Sequence, residues 1–188
     1  MLKISIILAS TRIGRQSHKP AKYLLGKLNE ISGISAELLD LAEYNFPILE
    51  ERLAFHPHPS DKLKEFSGKL TAADSIIFVS PEYNSGYSGV LKNTVDYFRA
   101  EFGKKPIGVV AVSAGALGGI NASTQMQLLI LGLGAYPMPL KLLIPSVQKA
   151  FDEQGKLSDP AIEKNSDKFL SEFIWFSEAI KNRKQNPA

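Results

Sequence analysis

Three short loops hold the residues of this sequence whose types and spacing suit chemistry. Residues 81–88 read PEYNSGYS and combine the flat, polar-tipped rings of Tyr83 and Tyr87 with the donors and acceptors of Asn84 and Ser85. Gly86 and the following Gly89 let backbone amides approach a ligand closely. Such a loop suits the edge of a planar heteroaromatic ring; it equally suits an ordinary turn in which Pro, Asn, Ser and Gly bend the chain. Residues 10–17, STRIGRQS, bring hydroxyls at Ser10, Thr11 and Ser17, the Arg12 guanidinium and a flexible Gly14 to a helix start. A helix N-terminus favours anionic oxygens, and arginine and hydroxyls add hydrogen bonds, so these are the parts of a phosphate cradle, with a plain capped turn as the alternative. No GK[ST] follows and no GxGxxG is present, which argues against nucleoside triphosphates and Rossmann-type dinucleotides. The third loop, residues 113–119, is the glycine-rich SAGALGG.

Each loop needs elements to hold it. Residues 75–80 are an apolar, β-branched run of the kind buried on both faces of a sheet, and the run breaks into a loop at Pro81. From Gly89 onward Val90, Leu91, Val95 and Phe98 fall at helical spacing. Residues 3–9 predict a strand and residues 22–31 a helix carrying Tyr23, Leu24, Leu28 and Ile31, with its start near Ser17 and Pro20 tolerated in the first turn. Residues 107–113 and the helix running up to Leu133 repeat the pattern. In open α/β sheets ligands bind outside the carboxyl ends of the strands, so the three loops converge on one edge if the strand order is 2-1-3-4-5.

The remaining stretches complete one domain, residues 1–188. Residues 35–41 predict the second strand and 140–144 the fifth, after a turn over 134–139. Residues 42–60, with Pro47, His56-Pro57 and His58-Pro59, predict a long surface loop; a helix over 61–73 follows, capped by Ser60. The last helix opens at Asp159-Pro160 and runs to about Lys181, with a stripe that includes Ile162, Phe169, Phe173, Ile174, Phe176 and Ile180; Trp175 is assigned to packing. Gln125 and Gln127 read as solvated or interface residues. The expected fold is an α/β three-layer sandwich around a five-stranded parallel sheet.

Composition excludes several functions. The net charge of +3 is matched by Lys181, Arg183 and Lys184 near the terminus; the rest of the chain balances, so no basic stripe points to nucleic acid, and residues 182–188 read as a frayed tail. No apolar run approaches the roughly 20 residues of a membrane span. The sequence has no cysteine, which rules out thiolate chemistry and fits a cytoplasmic protein. His56 and His58 have no third ligand nearby to complete a metal site. With no Ser/His/Asp group and no carboxylate pair within one loop, no catalytic side chain is assigned, and redox chemistry would have to come from a bound cofactor.

The string PEYNSGYSGVLKN resembles, nearly residue for residue, the flavin-ring loop of the NADPH-dependent FMN reductase family, whose fold is flavodoxin-like. The resemblance covers roughly residues 3–181. It implies that Ser10, Arg12, Ile13, Gly14 and Ser17 hold the phosphate of FMN, that Pro81, Glu82, Tyr83, Asn84, Ser85 and Gly86 hold its ring, and that Ser113, Gly115, Gly118 and Gly119 lie beside it. Departures from the family pattern are Ser88, where proline is usual, and Arg15 and Gln16, where smaller residues are common. The implied reaction passes hydride from NADPH or NADH to FMN and then to a quinone, an azo compound, free flavin or a metal oxyanion. The resemblance further implies a homodimer or homotetramer with the helix after Gly89 at the interface, and makes Tyr44 and Phe46 interface or pocket-wall candidates, their packing under the loop being equally open. Two other readings use the same fold. A flavodoxin-type electron carrier is typically strongly acidic, whereas this body is neutral, and a response-regulator-like domain wants an acidic cluster where Ser10 to Arg12 is basic.

Overall fold

The computed structural model describes residues 1–186. Five strands, β1 (Leu2–Leu8), β2 (Ile34–Asp40), β3 (Ser75–Tyr83), β5 (Pro106–Val112) and β6 (Tyr136–Ile144), form a parallel sheet in the order β2-β1-β3-β5-β6. The two-residue β4 (Gly86–Tyr87) pairs antiparallel with the end of β3. The order of the five parallel strands is therefore the expected one, with a hairpin added.

Alternate residues of the central strands feed two cores. Ile76, Phe78, Val109 and Ala111 face α3 (Asp61–Ala72), α4 (Gly89–Tyr97) and α5 (Ile120–Gly132); Ile77, Val79, Val110 and Val112 face α1 (His18–Asn29) and α7 (Pro160–Gln185). Burial on both sides is why β1, β3 and β5 read as continuous apolar runs. On the α7 side the parallel rings of Phe169 and Phe173, 6.0 Å apart, lie over Gly108, where a Cβ would come within 2.9 Å of Phe169 Cζ.

Several expectations change at element ends. β3 does not stop at Ser80: Ser80 and Pro81 stay in register with Ala111 and Val112, and Glu82 and Tyr83 continue into the hairpin. The loop after β2 begins with a one-turn helix, α2 (Leu41–Tyr44), capped by Asp40 through Ala42 N–H. Tyr44 and Phe46 join Phe66, Tyr97 and Phe98 in an aromatic cluster, so both pack under the loop. β6 starts at Tyr136 because the pairing slips, from Ile107 opposite Pro137 to Val109 opposite Lys141. Gln127 satisfies the slipped stretch by donating Nε2 to the carbonyls of Met138 and Pro139, at 3.0 and 3.3 Å; it is a sheet-edge clamp and not a solvated side chain.

Trp175 is 68% exposed, against the packing role expected of it. The buried face of α7 runs through Phe169, Phe173 and Ser177, and two residues past Phe173 is about 200° around a helix. Ile31 lies just beyond α1 and is likewise exposed. The expected fray is largely helix: α7 continues to Gln185, and Lys181 Nζ donates to the carbonyl of Met1 at 2.6 Å and to Asp74 at 2.7 Å. Residues 187 and 188 of that expected tail lie outside the described residues. No helix among the described residues is long and apolar enough to cross a membrane.

At the opposite pole of the sheet from the three loops, the buried Lys105 donates Nζ to the carbonyls of Leu70 and Thr71, the last acceptors of α3. Burial, aided by the neighbouring Lys184, pushes its pKa down from 10.5 to about 8. Between those values the unfolded chain holds a proton that the native state sheds, so this residue's contribution to stability rises with pH across that window and is lost as pH falls through the folded value. Urea melts of wild type and Lys105→Met at pH 7, 8.5 and 9.5 should show the difference moving in favour of the wild type as pH rises. A difference independent of pH would mean that Lys105 titrates normally.

Candidate functional site

A cleft of about 210 Å³ opens at the carboxyl ends of β1, β3 and β5. Of the residues expected at a cofactor, Ser10, Arg12, Ser17, Pro81, Glu82, Tyr83 and Ser113 line it. Arg15, Gln16, Val112, Ala114, Val147 and Gln148 line it too, and sequence reasoning assigned none of these six. A larger, mostly apolar hollow of about 500 Å³ lies between residues 52–55 of the loop after β2 and residues 97–101, beyond the C-terminal end of α4, and none of the loops 10–17, 81–88 and 113–119 reaches it. Convergent polar groups, and not volume, mark the smaller cleft as the site.

The first loop leaves a set of hydrogen-bond donors unused. Its N–H groups at Thr11, Arg12, Ile13 and Gly14 donate to no acceptor among the described residues. Ser10 Oγ is buried without a partner, and Ser17, at the N-cap of α1, makes no side-chain capping bond. Two hydroxyls, a run of amides and the start of a 12-residue helix are thus uncommitted together, and an anionic oxygen would satisfy them. Ile13 is 99% exposed and Gly14 holds φ at +70°. The Arg15 guanidinium is engaged elsewhere: it forms a two-pronged pair with Asp40, both bonds at 2.6 Å. That hydrogen bond raises the Arg15 pKa against the opposing effect of burial.

The second loop is a two-residue hairpin. Tyr83 pairs with Gly86, and Asn84 and Ser85 between them have φ of +49° and +65°, the doubly positive signature of a type I′ turn. The turn reading of Asn84 is therefore correct as geometry, and asparagine is among the few residues that adopt it at low cost. Two bonds from α5 fix the hairpin. Glu82 turns its carboxylate to accept from Ala122 N–H at 3.0 Å, and Gln125 Nε2 donates to the Ser85 carbonyl at 2.8 Å. Gln125 is exposed, as its solvated reading expects, and it also positions the hairpin. Ser88 anchors the other end: it accepts from Leu91 N–H to cap α4 and donates Oγ to the Ala9 carbonyl at 2.7 Å, a bond proline would lack. Arg12 spans the loops, its guanidinium 6.0 Å from the centroid of the 38%-exposed Tyr83 ring.

In the third loop Ser113 Oγ accepts from Gly115 N–H at 3.0 Å, and the Ser113 and Gly115 carbonyls accept from Val147 and Ser146 N–H. This joins the loop to α6 (Val147–Ala150), which brings Gln148 to the cleft. Gly118 and Gly119 are buried beneath it, where a Cβ would come within 2.9 Å of Leu143 and of Ala111 respectively. Their glycine requirement is explained by protein packing. With Glu82 capping α5 and Arg15 paired to Asp40, Arg12 is the one charged lining residue without an ion-pair or capping partner among the described residues.

The arrangement can bind an anion at one end and a flat group along Tyr83 at the other, and it brings no acid–base pair to the space between. Residues 2–149 match the family model described as NADPH-dependent FMN reductase. The chain is 31% identical over 166 residues to an NAD(P)H-dependent FMN reductase of Pseudomonas aeruginosa, covering 84% of this chain and 85% of that one. It is 28% identical over 162 residues to an NADPH azoreductase of a Bacillus species, covering 86% of each. Among solved structures it is similar to a flavoenzyme NAD(P)H:(acceptor) oxidoreductase from Paracoccus denitrificans, with a TM-score of 0.81 over 95% of this chain and 98% of that one at 22% identity, a likeness of fold. The family match runs through all three loops and most of the chain, and the protein belongs to the NADPH-dependent FMN reductase family.

Proposed function

We propose that this protein is an FMN-dependent NAD(P)H oxidoreductase that reduces quinones or azo compounds, with FMN held in the cleft at the ends of β1, β3 and β5. The observation that carries this reading is the uncommitted donor set of the first loop, with Ser10 Oγ buried and unpartnered beside free amides and a helix start. FMN, when bound, supplies the hydride chemistry between the nicotinamide and the acceptor. The chain's own residues bind and orient. Arg12, Ser10, Ser17 and the amides of residues 11–14 would hold the phosphate, with Ile13 and Gly14 shaping the loop. Pro81, Tyr83, Asn84, Ser85 and Gly86 would carry the ring, and Ser113 with Gly115 would close its other side. Glu82 and Gln125 keep the hairpin from shifting. The quinone and azo classes come from relatives bearing those activities in their names, among them a quinone reductase of Pseudomonas putida, 29% identical over 178 residues. The cysteine-free sequence suits a cytoplasmic location.

A homodimer or homotetramer is part of the proposal. One side of α4 is covered by its own chain, where Asn93 bonds Pro47 and Leu49, while Gly89 and Lys92 stay exposed, so an α4 interface would include that loop. Ile48 and Phe55 are exposed on it, as are Leu128 and Leu131 on α5. Light scattering that gives a monomer would remove this part of the reading.

Purified protein, loaded with FMN if it arrives bare, should be yellow, release FMN on heating as identified by mass, and oxidise NADPH or NADH when a quinone is added. FAD in its place, or no flavin after reconstitution, overturns the cofactor assignment. A flavin-loaded protein that oxidises neither nucleotide would instead be an electron carrier.

A further inference from the structure

We infer that Arg15 and Asp40 are positioning residues that preset the phosphate loop, an inference that rests on the FMN reading of the cleft. Arg15 lines the cleft beside Arg12, and by charge alone the two look interchangeable as phosphate ligands. The geometry separates them. Arg15 Nη2 donates to Asp40 Oδ2 and Nη1 to Asp40 Oδ1, and Nη1 also donates to the Ser10 carbonyl, all at 2.6 Å. The Arg15 N–H closes the loop on itself through the Arg12 carbonyl at 3.1 Å. Asp40 is itself buried at the end of β2, and its Oδ1 accepts from Ala42 N–H at 3.0 Å, so the guanidinium is tied to a rigid part of the sheet.

The bond to the Ser10 carbonyl has a directional effect. In a trans peptide the C=O and the next N–H point opposite ways, so holding the Ser10 oxygen at Arg15 turns the Thr11 N–H away from the guanidinium. That N–H is the first of the uncommitted amides. The Arg15 charge is matched by Asp40 and its planar fork is filled, which leaves Arg12 as the cation that meets the phosphate. The pair acts on affinity through preorganisation: a loop already in its bound shape has less freedom to lose on binding.

Titration of the apoprotein with FMN and with riboflavin tests this through the sign of one substitution. Asp40→Asn keeps an acceptor for Ala42 N–H but breaks the two-pronged pair. It should weaken FMN by about tenfold or more, as expected for losing a charge-assisted hydrogen bond, and leave riboflavin within about twofold. Arg15→Gln should lose a similar factor, and the double variant no more than either single one, because the two residues are one device. If Arg15 is a phosphate ligand restrained by Asp40, Asp40→Asn will instead tighten FMN binding, and the inference is overturned. Equal losses for FMN and riboflavin overturn it as well, because the pair then serves the fold alone. If Asp40→Asn does not fold, the Arg15→Gln arm decides by salt: a preset loop keeps the wild-type salt dependence of FMN affinity, whereas loss of a direct phosphate ligand flattens it and overturns the inference. Wild-type protein that binds neither flavin overturns the FMN reading itself and this inference with it, and that failure is visible before any variant is compared.

Discussion

Replacing Arg12 with alanine should weaken FMN binding by about ten- to a hundredfold and leave riboflavin almost untouched. The size follows from charge-assisted hydrogen bonds, worth roughly 1.5–3 kcal/mol each, at the one lining cation with no ion-pair partner among the described residues. Arg12 is exposed, and solvent competition draws the expected loss toward the tenfold end of that range. The anion would nonetheless meet it beside the buried Ser10 hydroxyl and a helix start, which add to the attraction. Arg12 also faces the Tyr83 ring at 6.0 Å, so its removal could loosen the ring hairpin instead. Riboflavin separates the two effects, since it has the ring and lacks the phosphate. Flavin fluorescence quenching on titration of apoprotein gives both constants. Equal losses for the two ligands would place the role of Arg12 at the hairpin, and Arg12→Lys, which keeps the charge but not the planar fork, should fall between wild type and alanine.

Gly119→Ala should rank with Gly118→Ala among the most damaging small substitutions at the site, at about 2–5 kcal/mol of stability. Two penalties add. Its φ of +85° costs an L-residue roughly 1–2 kcal/mol. Its added Cβ would come within 2.9 Å of Ala111 Cβ and 3.4 Å of Val112 N, a central strand that cannot move aside, and overpacking of that kind costs roughly 1–3 kcal/mol. Gly14→Ala is the control. It carries the same strain at φ +70° but has nothing within 4 Å, so it should lose only about 1–2 kcal/mol. Urea melts of the two apoproteins measure the gap, and equal losses would mean that the β5–α5 turn gives way more easily than its packing indicates.

Local chemistry made the fold and the three loops legible in the sequence. A strand buried on both faces must be apolar at every position, a helix on a sheet must repeat its apolar residues every three or four, and the turns between them need glycine, proline or asparagine; each rule acts within a few residues of chain. The strand order entered as a condition that the resemblance to a flavodoxin-like family supplied, and the cleft followed from the rule that ligands bind at strand ends. The ends of elements were less legible, because a strand stops where its neighbour stops pairing. β3 continues through Pro81 to Tyr83 for that reason, and β6 begins before its slipped stretch.

What the tertiary structure alone decided is which polar side chain meets which. Arg15 and Asp40 are 25 residues apart, Gln125 and Ser85 are 40 apart, and Ser88 and Ala9 are 79 apart. Nothing in the composition of loop 10–17 distinguishes an arginine that faces a ligand from one that holds the loop, since both are cations at a helix start. Glu82 looked like a ring-loop residue until α5 presented its open N–H, and the exposed Gln125 and half-buried Gln127 gained their partners only when a hairpin and a slipped strand presented carbonyls. A polar group accepts water as readily as a protein partner. Its role is therefore set by what the fold places within about 3 Å of it, a distance that sequence separation does not encode.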